Sequence, residues 1–187
     1  MWWPGAGSAT IRGGSNISEP RESVMAQDID EVEDVDLAVV AYLDESDWYV
    51  QELPEEALES VESIARELRR YPAETGAVAL LSVDEDWLLI VRVVGPSVRL
   101  LLSDASAASD WTLARSAVDE LGLPVEDDDD QVPAGDLAIV ADLGMPPSEL
   151  GELLDDFDLY PEEILSEIAT RAGFGARFDD AAGLSNA

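Results

Sequence analysis

A chain of 187 residues, 47% of them hydrophobic, is long enough to bury one ordinary core, alone or with a small appendage. Its 42 acidic residues against 10 basic ones, all arginine, leave a net charge of −32, which opposes nucleic acid and anionic membrane and favours basic surfaces, although solubility alone also explains acidity. Lacking Cys, His and Lys, it cannot build a Cys/His zinc site, a thiol or histidine-based nucleophile system, a Schiff base or a Walker A loop, so any chemistry falls to carboxylates, hydroxyls, Tyr or Arg.

Residues 1–35 are rich in Gly, Ser and acid and lack sustained apolar periodicity, which predicts a disordered acidic tail. Met25 precedes the acidic run QDIDEVEDVD and the first strand-like segment, so it reads as a natural start with 1–24 an extension, the plain alternative being a genuine tail. No run approaches the roughly 20 apolar residues of a membrane span. The opening MWWPGAGSATIRGG also lacks the apolar stretch of a secretory signal, so the cytoplasm is the expected location.

LAVVAYL (37–43) and WYVQEL (48–53) flank the tetrapeptide DESD and read as a hairpin. Pro54 then opens PEEALESVESIARELRRY, predicted as one helix with Leu58, Val61, Ala65 and Leu68 on a single stripe. Acids fill its first half, and Arg66, Arg69 and Arg70 its last turns, complementing the helix dipole. AVALLSV (77–83), WLLIVRVV (87–94) and SVRLLLS (97–103) predict an antiparallel meander. Short loops place Val83 against Trp87, Val94 against Ser97 and Arg92 opposite Arg99. One face, carrying Ala79, Leu81, Leu89, Val91, Leu100 and Leu102, is wholly apolar and should receive the helix. The other combines Leu80, Leu88, Ile90 and Leu101 with Arg92 and Arg99, too apolar for water yet bearing like charges side by side.

SDWTLARSAVDELG follows as a helix with Ser109 as N-cap, Asp110 in its first turn and Gly122 just past its end. VEDDDDQVPAG is an acidic connector, and the stretch from Gly135 to Gly144 reads as a short helix. PPSELGELLDD and PEEILSEIATRAG predict two amphipathic helices with Leu150, Leu153, Ile164, Leu165 and Ile168 inward, covering the Arg-bearing face. The last residues support at most one further turn. The expected architecture is α+β: an antiparallel sheet of about five strands in β-β-α-β-β-β-α order, followed by a small C-terminal helical cap. Its divisions are a tail over 1–35, a sheet domain over 36–123, a connector over 124–135, a cap over 136–180 and a flexible end over 181–187.

Like charges directly opposite on a sheet destabilise it unless an anion lies between them, so Arg92 and Arg99 are candidates for binding a partner's carboxylate. The plain reading is that the chain's own acids pair with them while their stems cover apolar surface. Asp104 and Asp110, with the run Asp127, Asp128, Asp129 and Asp130, could supply carboxylates to Mg²⁺ or Mn²⁺. Against this, Asp110 fits a helix cap, Asp104 a turn and the tetrad a solvated connector with a contact for a partner's arginines, and VEDDDDQVPAG lacks calcium-loop spacing. ADLGMPPSELGELLDD superficially resembles a helix-turn-helix, but its second helix carries Glu149, Glu152, Asp155 and Asp156, which excludes DNA reading. Trp87 and Trp111 read as core before interface anchors.

DVDLAVVAY, VRLLLSDASAASDW, DDDDQVPAGDLAIVADLGM and LYPEEILSEIATRAGFG together resemble the actinobacterial tRNA adenosine deaminase-associated protein family, over about residues 34–178. That resemblance implies association with the deaminase and supplies no catalytic residues. Zinc deaminases need His and Cys ligands that this chain lacks, so it is not the deaminase. The expectation is a noncatalytic adaptor or regulator without cofactor, acting through protein contact with the deaminase or another basic protein. Two other readings stay open: a carboxylate-dependent metal enzyme, and a general acidic nucleic-acid mimic.

Overall fold

The computed structural model describes residues 35–72, 74–125 and 130–185. The expected tail and the reading of Met25 as a start lie outside these residues, except that Val35 already belongs to the first strand. Strands β1 (Val35–Asp44), β2 (Asp47–Glu52), β3 (Ala77–Val83), β4 (Trp87–Val94), β5 (Ser97–Leu102) and β6 (Ala134–Gly135) form one six-stranded antiparallel sheet in the order β2-β1-β3-β4-β5-β6. Both β2 and β3 pair antiparallel with β1, so they run the same way on either side of it and need a crossover. Helix α1 (Val61–Leu68) lies within that crossover. Helix α2 (Thr112–Glu120) follows β5, and α3 (Pro147–Leu154), α4 (Pro161–Ala172) and α5 (Gly175–Ala182) follow β6. The described residues all belong to one compact unit.

The meander has the expected register, with Val83 paired to Trp87, Val94 to Ser97 and Arg92 to Arg99. The first hairpin turns on Glu45 and Ser46, both at positive φ. Because side chains alternate along each strand, this register separates two cores. On one face Ala79, Leu81, Leu89, Val91 and Leu102 pack beneath α1 and α2. On the other, Leu80, Leu88, Ile90 and Leu101 pack against Leu150, Leu165 and Phe178 of the C-terminal helices. Trp87 is fully buried in the first core, its ring centroid 6.2 Å from that of Trp111.

Four local features depart from the sequence expectation. The helix after Pro54 is interrupted: Glu55–Glu59 is a 3-10 turn, and Ser60 is extended, its hydroxyl accepting the Ser63 N–H at 3.2 Å. A serine hydroxyl that satisfies a first-turn donor makes a better cap than a helix interior, so α1 starts there. Likewise Asp104 caps a 3-10 turn over Ala105–Ser109, which delays α2 to Thr112 and puts Trp111, rather than Ser109, at its N-cap. The stretch after Gly135 has only a 3-10 turn, Ala141–Leu143, while Gly135 itself pairs with Leu101 as part of the sixth strand. At φ 112° a Cβ on Gly135 would stand 2.3 Å from the Leu100 carbonyl, so the pairing requires glycine. Finally, the C-terminal residues form a full helix, α5, anchored by buried Phe178, with Phe174 buried just before it.

Candidate functional site

Arg92 and Arg99 stand side by side on the face covered by the C-terminal helices, as their register requires. Arg92 is only 2% exposed, and the segment between β6 and α3 closes over it. Its guanidinium makes a two-pronged contact with the Asp142 carboxylate, Nη2 to Oδ2 being 2.7 Å, and donates also to the carbonyls of Ile139 at 2.8 Å and Thr75 at 3.0 Å. Arg99 is partly exposed and donates to Asp136 Oδ2 at 2.6 Å and to the Ala138 carbonyl at 2.7 Å. Each arginine thus pairs with its own carboxylate of the same chain. Hydrogen bonds from Arg92 hold the Asp142 carboxyl below the usual carboxylate range, and those from Arg99 do the same for Asp136. The other oxygen of Asp136 accepts the Ala138 N–H at 2.8 Å, folding the segment into the turn that brings Ala138 O within reach of Arg99.

The remaining candidate carboxylates do not share one place. Asp104 is buried, its oxygens accepting the Ser106 N–H at 2.8 Å and the Ser106 hydroxyl at 2.7 Å. Asp110 is exposed between the 3-10 turn and α2. Asp130 lies beside a different hollow, with Leu123, Val132 and Pro133. Asp127, Asp128 and Asp129 lie outside the described residues. Among the described residues, no group of three His, Cys, Asp or Glu side chains is placed to hold a metal ion.

A further concave site was missed in the sequence. The β3–β4 turn, the end of β5 and the turn between α3 and α4 enclose a cavity of about 380 Å³. Five acids line it: Glu85, Asp86, Asp104, Asp156 and Asp158. Desolvation, reinforced by the negative charges of Asp104 and Asp84, pushes the Asp86 carboxyl above its ordinary range. Leu88 and Ile164 also line the cavity, as do Phe157, 77% exposed, and Tyr160, 59% exposed. The turn presenting these rings is well defined, with Asp156 Oδ1 accepting the Asp158 N–H and its carbonyl accepting that of Leu159. Glu163 then accepts the Tyr160 N–H at 2.9 Å, fixing the start of α4. The available signal was DFDLY, an aromatic residue between acids in a segment that had to be a turn.

A family profile described as Rv3753c-like tRNA adenosine deaminase-associated protein matches residues 36–175. The chain belongs to that family. It is 36% identical over 140 residues to Protein Rv3753c of Mycobacterium tuberculosis (strain ATCC 25618 / H37Rv), a match covering 73% of this chain and 81% of the relative. No solved structure matches. The family's name describes a protein associated with the deaminase, not the deaminase itself. The matched residues span the sheet, both arginines, the acidic cavity and helices α1 to α4. No helix among the described residues is long and apolar enough to cross a membrane.

Proposed function

We propose that this member of the family is a noncatalytic adaptor or regulator that acts by direct protein contact with the tRNA adenosine deaminase of its own cell. One observation supports it above the rest: most of the described arginines pair with acids of the same chain, leaving a surface dominated by carboxylate. Among the described residues, Arg66, Arg70, Arg92, Arg99 and Arg171 each pair with an acid of the same chain. Against a net charge of −32, this leaves a surface suited to a basic protein and repelled by tRNA phosphate. An enzyme that grips tRNA presents such a basic surface, so the acidic chain can compete with tRNA there or tether the enzyme elsewhere.

The test is calorimetry of the purified chain against the purified deaminase at two salt concentrations. Saturable binding that weakens with salt is expected. No binding, or binding no tighter than to an unrelated basic protein, removes the proposal.

A further inference from the structure

We propose that the cavity lined by the β3–β4 turn, the end of β5 and the α3–α4 turn is a docking pocket for an arginine side chain of a protein partner. This rests on the reading that the chain works through protein contact, and it names the place and chemistry of that contact.

Two acidic hollows border helices α3 and α4. The cleft bounded by Glu149, Glu152, Glu163 and Glu167 already includes an arginine, Arg171, which donates to Glu149 at 2.6 Å and Glu167 at 3.1 Å. The cavity bounded by Asp86, Asp104, Asp156 and Asp158 has no arginine among its lining residues. Its negative charge adds to burial in pushing the Asp86 carboxyl upward, and an entering cation relieves that repulsion.

The cavity also has an aromatic rim. Phe157 and Tyr160 flank the cavity at 77% and 59% exposure, and neither ring stacks on another aromatic ring among the described residues. Scattered single exposed apolar residues need no explanation, but two large rings held at one acidic cavity match the composition of protein-binding hot spots. A guanidinium suits this combination because its flat face stacks on a ring while its edge donates to carboxylates; a lysine ammonium is a compact, strongly hydrated point charge without that planar match. The volume of about 380 Å³ lies at the low end of ligand pockets, roughly 300–1,000 Å³. Leu88 and Ile164 in the lining provide cover for the apolar stem of an arginine.

The experiment has two arms and uses the full chain. In the first, tri-arginine amide and tri-lysine amide are titrated separately at physiological salt while backbone amide resonances are followed. Shifts concentrated at Asp86, Phe157 and Tyr160, stronger for arginine and lost in the Phe157→Ala/Tyr160→Ala variant, are expected. Shifts spread over the acidic surface, or equal for both peptides, overturn the proposal. In the second arm the deaminase is titrated with the wild type and with the same variant, whose melting temperature should match wild type because both rings are exposed. A loss of about tenfold or more in affinity supports the pocket. Equal affinity overturns the pocket while leaving the proposed function standing. A localised arginine response without deaminase binding supports the pocket and removes the deaminase as its partner.

Discussion

The two faces of the sheet are covered in physically different ways. Beneath α1 and α2, contact is mainly apolar, from Leu81 and Leu89 to Ala114 and Val118, the polar groups there including the buried Trp87 indole N–H and the Ser116 hydroxyl that accepts the Val61 N–H. Beneath the C-terminal helices, apolar contact is joined by Arg92 and Arg99, whose hydrogen bonds reach Ile139, Asp142, Asp136 and Ala138 in the segment between β6 and α3. Burial is non-directional and tolerates approximate packing, whereas a two-pronged arginine–carboxylate contact specifies one geometry. The first face therefore supplies bulk stability, and the second fixes where a segment almost without regular structure must lie.

The largest loss of stability is expected from a cavity in the first face. Trp87→Ala should cost about 4 kcal/mol and lower the unfolding midpoint of the whole unit in a urea titration. On the second face, Asp142→Ala leaves Arg92 buried without its anion and should cost about 2 kcal/mol. This is less than the roughly 3–5 of a fully buried pair because Asp142 is 63% exposed. The effect should appear first as faster hydrogen exchange between β6 and α3, and exchange that rises uniformly over both faces would contradict the distinction. Ser60→Ala, at the break before α1, should cost about 1 kcal/mol by chemical denaturation, through loss of the cap to Ser63.

Acid provides a graded probe of the second face. Asp136 and Asp142 have folded pKa values below the unfolded one, so their stabilisation is present above the unfolded value of about 3.9 and lost as pH falls through the lowered folded values. Fluorescence of Trp48, whose ring lies 4.7 Å from that of Phe174, should report loosening of the cap below about pH 4. In Asp142→Asn that acid response should shrink. The smallest effect is expected at Asp86, whose raised pKa means that its charge opposes folding near neutral pH. Asp86→Asn should stabilise by less than about 0.5 kcal/mol in thermal melts.

What was legible in the sequence follows from periodicity. Strict alternation and short turns were enough to place Arg92 opposite Arg99 and to divide the strand residues between two cores. Amphipathic spacing also identified α3 and α4 as the cover of the second face. Local side-chain competition was harder to see: Ser60 lies within a helix-compatible stretch, yet its hydroxyl bonds the Ser63 N–H and interrupts the run, and the turn read at Asp104 extends through Ser109 and so displaces the start of α2. Gly135 resembled a helix boundary because two residues are too few to display strand alternation. The cavity beside Phe157 was hidden for another reason. It joins residues from the β3–β4 turn, β5 and the α3–α4 turn, and no local pattern encodes their meeting.

The order of the chain gives the paired arginines a second consequence, during synthesis. The strands through β5 emerge before α3 to α5, so a nascent chain can form its hairpins while Leu80, Leu88, Ile90 and Leu101 still await their cover. Two positive charges near the β4–β5 turn stand at one end of that temporarily uncovered surface, so adjacent copies meeting there would face like charge. The same guanidiniums that clasp Asp136 and Asp142 in the folded chain would thus oppose close approach of two uncovered sheets.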